Sequence, residues 1–508
     1  MSEPSRLDHG ASEVAEPNTW LWQSFARSVR DNVVAEVVVQ SLRIVGMVIL
    51  ARALSPDDFG LFKVLLIVSA FAMLTNESGI PDALIQRKDL RAVHQSTAWW
   101  ICLGLALIAA SVLYAGAPML EIWMKMPGLS IGARLLCIPI VLEGAAVTAN
   151  AHLRRQMRFS ALAVADVISE IAFLGSALFF LWEGWPRWAL TLGLFGRFAA
   201  HAISVLIVGG RGGLPLGLPR IAAARELSRF STNAFGARLI YAVSYNADFL
   251  MVGRLLGSSA LGFYSMAWDL LRFVPDRVYK VAGRVTLPAF CHLQDQPEQL
   301  AQAFLNFCNY VARIVLPIVI CGAIAAPQLI ETIYGAKWLP SAVPMQLLSV
   351  GLVLVGMRIA IGSVYFAKNH PEFDIYLHTI RLVLIVVAVL GLASSGLWGV
   401  SAGMSVVEAV ISVIGLGLAC HLIGIGLRDL LGASIPGIQL AAICAAATIA
   451  GKLVVIAAGV EGPLSLIIIA VPPAVVYCWR ESSVAMQMFS DAFGGGRVAP
   501  SQVLEEPR

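Results

Sequence analysis

Fourteen continuous apolar runs, each near the roughly 20 residues that cross a bilayer as a helix, follow one another along the chain. They begin near residues 32, 60, 94, 130, 160, 188, 230, 260, 301, 343, 375, 397, 434 and 462. A membrane β-barrel alternates apolar and polar residues over strands of about ten; these runs do not alternate, so an all-α polytopic membrane protein is predicted. The polar intervals divide it into a tail at 1–31, a first set of six spans at 32–209, a linker at 210–229, a second set of six at 230–421, two further spans at 434–480 and a second tail at 481–508.

An internal repeat sets the architecture. Ala51-Arg-Ala-Leu-Ser-Pro-Asp-Asp-Phe-Gly-Leu-Phe62 returns as Gly253-Arg-Leu-Leu-Gly-Ser-Ser-Ala-Leu-Gly-Phe-Tyr264, and Arg52 pairs with Arg254, Leu54 with Leu256, Gly60 with Gly262 and Phe62 with Tyr264 at one offset of 202 residues. Six spans separate the copies, so both enter the membrane the same way round, as in two-lobed transporters built from parallel repeats. The linker opens with glycine and proline and then turns amphipathic (Ile221, Arg225, Leu227), which predicts a connector followed by an interfacial helix.

Charge gives the orientation. With a cytoplasmic N-terminus, 21 Lys and Arg fall on inner segments, Arg381 counted among them, and six on outer ones; that asymmetry predicts both termini in the cytoplasm. Residues 1–31 carry Glu3, Asp8, Glu13 and Glu16 and lack the basic start and short apolar core of a signal peptide.

Composition narrows the function. The 508 residues are 58% hydrophobic and 13% charged, against roughly 25% charged in soluble domains, so a soluble enzyme is excluded. Basic residues are scattered, which speaks against nucleic acid as a partner, and the eight cysteines contain no CxxC pair, so neither a zinc site nor a disulfide framework is indicated. No loop exceeds about 20 residues, too few for a separate catalytic domain. Ser55-Pro56-Asp57-Asp58 reads as a helix start, with serine as cap and proline in the first turn.

Ionisable groups inside spans are costly and therefore mark sites. Glu36, Gln40 and Arg43 share one face of the first span, and Arg238, Tyr241, Tyr245 and Asp248 share one face of the seventh, its repeat counterpart. The eighth span adds Trp268, Asp269, Arg272 and Arg277. The basic members are expected to outnumber the acids able to pair with them, leaving an arginine-lined watered cavity between the lobes; arginine's planar fork suits phosphate and pyrophosphate. His201, His378 and His421 read as solitary residues near span ends.

Four segments, Leu50 to Phe62, Ala83-Leu-Ile-Gln-Arg-Lys-Asp89, Leu287-Pro-Ala-Phe290 with Leu293 to Glu298, and Tyr334-Gly-Ala-Lys-Trp-Leu-Pro340, resemble the polysaccharide-transporter branch of the multidrug/oligosaccharidyl-lipid/polysaccharide exporter superfamily. The likeness runs from about residue 25 to 420. The resemblance implies a flippase that moves a polyprenyl-pyrophosphate-linked oligosaccharide across the bacterial inner membrane by alternating access, with spans 1, 2, 7 and 8 lining the cavity. On that reading Arg43, Arg238 and Arg272 bind the pyrophosphate, with Gln40 beside them. Tyr241, Tyr245 and Trp268 meet the sugars, while Glu36, Asp248 and Asp269 balance charge by proton or sodium coupling. No cofactor or metal is expected. The expected partners are the lipid-linked substrate, the bilayer, and a polysaccharide polymerase with export machinery. The rivals are a cation or multidrug exporter of the same superfamily, a membrane polymerase or ligase, and a nontransporting scaffold.

Overall fold

The computed structural model describes residues 19–74, 79–87, 89–213, 217–228, 232–460 and 462–493. Lipid offers backbone groups no hydrogen-bond partner, so continuous apolar runs must fold as helices, and among the described residues there is no strand. The first half of the chain forms α1 (Thr19–Ala53), α2 (Pro56–Met73), α3 (Ile80–Gln86), α4 (Ala92–Met124), α5 (Leu129–Arg155), α6 (Phe159–Trp182), α7 (Pro186–Gly213) and the short α8 (Ile221–Ser228). The second half forms α9 (Thr232–Leu256), α10 (Ser258–His292), α11 (Pro297–Ile324), α12 (Ala326–Tyr334), α13 (Ala342–Met357), α14 (Ile361–Ala367), α15 (Glu372–Leu392), α16 (Gly396–Ile423), α17 (Leu427–Ala458) and α18 (Pro463–Phe493). Helix α1 thus begins well before the expected start near residue 32.

Ten segments among the described residues are long and apolar enough to cross a membrane, one of them, Glu372–Ile423, made of two helices. Helices α2, α9 and α10 are not among the ten. They carry Asp57, Asp58, Lys63, Arg238, Asp248, Asp269, Arg272, Asp276 and Arg277, whereas α1 keeps an apolar span, Val34–Ala53, despite the polar face of Glu36, Gln40 and Arg43.

In the first lobe α6 packs on α1 and α7, and α5 on α4 and α7; in the second α15 packs on α9 and α16, and α13 on α11 and α16. Helix α17 lies against α11, and α18 against α17. The lobes meet where α2 crosses α10. A Cβ on Gly60 of α2 would overlap the Ser258 carbonyl of α10, and one on Gly262 of α10 would overlap the Pro56 carbonyl of α2. Pro56 and Ser258 are themselves 202 residues apart, so the repeats exchange the same contact about a pseudo-two-fold axis. Ser55 starts α2 as its composition predicts: its hydroxyl accepts from the Asp58 amide while the Asp58 carboxylate accepts from the Ser55 amide.

Candidate functional site

The two ends of the lobe interface are closed by different chemistry. At the end marked by Trp338, side chains of the second lobe cap the C-terminus of α1. Lys337 Nζ donates to the carbonyls of Arg52 and Leu54 at 2.8 and 2.6 Å, and Trp338 Nε1 donates to that of Ala51 at 2.8 Å. A cation at a helix C-terminus meets the negative end of its dipole. Arg52 returns the contact, donating to the carbonyls of Thr332 and Ile333. Asp57 accepts from Ser258 Oγ at 2.6 Å, and Lys63 Nζ lies 3.0 Å from Asp269 Oδ1. Trp338 is wholly buried, edge-on to Phe59 and Phe263.

At the opposite end, marked by Arg155, single polar contacts join the lobes. Arg238 Nη2 of α9 sits 3.2 Å from Asp82 Oδ2 of α3, and Arg277 of α10 donates to Gln40 Oε1 of α1. Nearby, α8 docks on α3 and α4 through buried Ala223 and Leu227, with Arg87 Nη2 2.5 Å from Glu226 Oε2 and Trp100 Nε1 donating to the Gly217 carbonyl at 3.1 Å. The Arg87 guanidinium holds the exposed Glu226 carboxyl below its usual range. Arg155 anchors the turn after α3 by donating to the carbonyls of Leu84 and Arg87.

Between these ends lie the polar residues that the sequence singles out. In the first lobe Gln40 donates to Glu36 at 3.1 Å, and Arg43 Nη2 lies 3.0 Å from Glu170 Oε2 with 41% of its own side chain exposed. Arg197 reaches the same Glu170 oxygen at 3.5 Å. In the second lobe the Arg272 guanidinium stands 5.0 Å from the Tyr245 ring and 5.7 Å from that of Trp268, with Nε 3.3 Å from Asp276 Oδ1. The Tyr241 and Tyr245 rings lie 4.3 Å apart, tilted by 31°, and His378 of α15 meets both.

The expected excess of unpaired arginine is not observed. Arg43, Arg238 and Arg272 each have a carboxylate within 3.3 Å, namely Glu170, Asp82 and Asp276. Each pair keeps a solvent-exposed member, because a charge in a span is tolerated where it faces water or a partner. Asp269 pairs with Lys63 of the other lobe. Trp268 is only 3% exposed and belongs to the core, and Asp248 is buried within the second lobe, accepting from Tyr264 Oη at 2.9 Å; neither lines the open surface.

The sequence reading missed two further groups. Arg381, counted there as an inner-segment charge, lies inside α15 and is buried. Its Nε and Nη2 donate to Glu408 Oε1 at 2.9 and 2.6 Å, Arg358 holds the other Glu408 oxygen at 3.0 Å, and Arg381 Nη1 donates to the Ser244 carbonyl of α9. One buried glutamate is thus clamped by two arginines in each lobe. The second group is an apolar cavity of about 470 Å³ between α10, α11, α17 and α18, lined by residues that include Leu270, Val274, Pro317, Cys444, Leu466 and Ile469.

With this geometry in place, the comparisons decide the family. The family model described as polysaccharide biosynthesis protein matches residues 49–344, more than half of the chain. The chain belongs to this family. It is 24% identical over 389 residues to the lipopolysaccharide biosynthesis protein WzxC of Escherichia coli K12, covering 75% of this chain and 78% of that one. It is 27% identical over 329 residues to the succinoglycan biosynthesis transport protein ExoT of Rhizobium meliloti 1021, covering 62% and 64%. In fold it is similar to the lipid II flippase MurJ in an inward closed conformation (TM-score 0.70, 15% identity, 90% of this chain and 99% of that one). It is also similar to an inward-facing multidrug resistance MATE transporter (TM-score 0.60, 14% identity, 77% and 98%). The family lies in the polysaccharide-transporter branch of the multidrug/oligosaccharidyl-lipid/polysaccharide exporter superfamily, as the four sequence segments imply.

Proposed function

We propose that the protein is a flippase carrying a polyprenyl-pyrophosphate-linked oligosaccharide across the bacterial inner membrane, in service of surface polysaccharide export. The observation that carries this reading is the unequal closure of the lobe interface. The Trp338 end is sealed by buried aromatic packing and backbone caps, whereas the Arg155 end is held by Arg238 to Asp82 and Arg277 to Gln40. Residues 32–209 and 230–421 would rock as two lobes about the α2/α10 crossing, with 210–229 as the connector and 434–480 as an appended pair. The basic clusters of the Arg155 end, including Arg87, Arg155 and Arg158, support a cytoplasmic side for that end and for both termini under the positive-inside rule.

Substrate would enter by exchange of partners. An exposed salt bridge is worth about 0.2–1 kcal/mol, while a bidentate arginine-phosphate contact is about twice as strong as a neutral hydrogen bond. Pyrophosphate can therefore take Arg238 from Asp82 and Arg272 from Asp276, which loosens the cytoplasmic closure as it binds. Arg43 and Gln40 face it from α1, the adjoining Tyr241 and Tyr245 rings offer an aromatic surface to sugar rings, and the apolar cavity beside α10 suits a prenyl chain.

The test is translocation of such a lipid by the reconstituted protein. Arg43→Ala and Arg238→Ala should each slow it at least about tenfold, since a hydrogen bond to a charged group is worth about 1.5–3 kcal/mol, without loss of folded protein. Wild-type rates in both variants would overturn the assignment.

One observation favours a second reading, export of a cation: the ion-paired cluster of the first lobe holds three carboxylates, Glu143, Asp166 and Glu170, against two arginines, Arg43 and Arg197. A deletion strain that becomes sensitive to cationic dyes would support it.

A further inference from the structure

Helix α8 and the chain leading into it present two opposite faces. Ala223 and Leu227 are buried, and Leu227 shares its core with Ile80, Ala83 and Leu84 of α3. On the other side Ile221 and Arg225, four residues apart, share one helical face. Ile221 is 85% exposed, as is Leu218 before it at 84%, and Arg220 and Arg225 are exposed beside them. Glu226 has its charge engaged by Arg87 and stands 3.5 Å from His94 Nε2. The outward face therefore combines two large apolar side chains with two positive charges.

The depth of this face follows from α4. A helix of 33 residues is about 50 Å long and, centred on a hydrocarbon core of roughly 30 Å, outruns it by about 10 Å at each end. Trp100 lies about 12 Å along α4 from Ala92, at that boundary, and its partial exposure suits an interfacial aromatic anchor. The chain before α8 is bound to the same stretch of α4. Trp100 Nε1 donates to the Gly217 carbonyl and the Arg220 amide donates to Thr97 Oγ1, each at 3.1 Å, and a Cβ on Gly217 would meet Ser96 Oγ at 2.5 Å. Leu218, Ile221 and the two arginines are thereby held at headgroup level. Apolar side chains beside cations at that level make a surface that meets anionic lipid; a free phosphate would use the arginines and leave Leu218 and Ile221 in water.

We propose that Leu218, Arg220, Ile221 and Arg225 form a binding site for the headgroup of an anionic phospholipid of the cytoplasmic leaflet, and that lipid seated there braces α3. Asp82, which bonds Arg238 of the second lobe, lies in α3 between Ile80 and Ala83, both packed in the core that Leu227 completes. Docking of α8 and closure of this end therefore support one another. The proposal rests on the orientation given by the flippase reading and adds a regulatory ligand to it.

The test is hydrogen exchange across 217–228 and 80–86, at neutral pH, of the full chain in nanodiscs of phosphatidylcholine alone and of equal parts phosphatidylcholine and phosphatidylglycerol. An arginine near an anionic surface contributes about fivefold, so phosphatidylglycerol should slow exchange across 217–228 by up to about thirtyfold, and that across 80–86 in the same direction. Arg220→Gln should keep about a fifth of the effect, the double variant with Arg225→Gln none, and high salt should erase it in the wild type. Arg220 is exposed, so its variant and the salt series keep the test if the double variant does not fold. Equal exchange in the two discs overturns the site, as does slowing that persists in the double variant. Equal slowing by inorganic phosphate or by soluble polyglutamate in phosphatidylcholine discs overturns the lipid as occupant, and slowing confined to 217–228 overturns the brace. Translocation of lipid-linked sugar in vesicles of the same two compositions separates the readings. None in either refutes the flippase while the exchange result stands, and translocation with a flat exchange response refutes the lipid site alone.

Discussion

Arg238 and Asp82, 3.2 Å apart, tie the first helix of the second lobe to α3 of the first. The Asp82 side chain is 50% exposed, so the bond is a pin that water and anions can reach. Asp82→Asn should raise the fraction of molecules open at this end by a few-fold, the range expected for an exposed pair. Electron-electron distances between spin labels on α3 and α9 measure it, and an unchanged distribution would show that the bond carries none of the closure.

The α2/α10 crossing makes a sterically sharp demand. Alanine at Gly60 or Gly262 would overlap a backbone carbonyl of the opposite lobe, so the helices must part at a cost of about 1–3 kcal/mol or more. Gly175→Ala on α6 meets open space and serves as the control. Thermal unfolding in detergent should show a lower Tm for the two crossing variants and none for the control.

The two arginine clamps should differ in weight. Glu408 is gripped by Arg381, whose side chain is 4% exposed, and Arg358, 13% exposed. Glu170 is gripped by Arg43 and Arg197, 41% and 30% exposed. Removing one partner of a buried ion pair strands the other at about 3–5 kcal/mol, and solvent lessens that penalty. Glu408→Gln should therefore destabilise the protein more than Glu170→Gln, as read by the yield of monodisperse protein and by its Tm.

The α8 docking is pH-dependent. The Arg87 hydrogen bond holds the Glu226 carboxyl below its ordinary range, so the charged bond is complete above that range and is lost as pH falls through the lowered value. Hydrogen exchange across residues 221–228 should quicken on acidification below the usual carboxylate range. Glu226→Gln should show the faster exchange at neutral pH as well.

Much of the architecture is legible in the sequence because its signals are local. A continuous apolar run specifies a helix, and the twelve-residue repeat at 51–62 and 253–264 specifies how two lobes meet, down to the paired glycines. Charge pairing is not local. Arg43 meets Glu170 across 127 positions, Arg238 meets Asp82 across 156 and Lys63 meets Asp269 across 206, so counting arginines along the chain overstates how many stand alone. His201 looks solitary because Glu143 and Asp166 reach it from two other helices, and Arg381 looks like a loop charge because its carboxylate partner is on α16.

The most direct measurement follows where lipid-linked repeat units collect when the gene is deleted. Periodate or lectin labelling of intact spheroplasts, compared with lysed ones, reports the leaflet that holds them. Units confined to the inner leaflet, released by the wild-type chain and not by Arg43→Ala or Arg238→Ala, are the expected result. Unpolymerised units already on the outer leaflet would contradict a flippase and point to a polymerase or ligase.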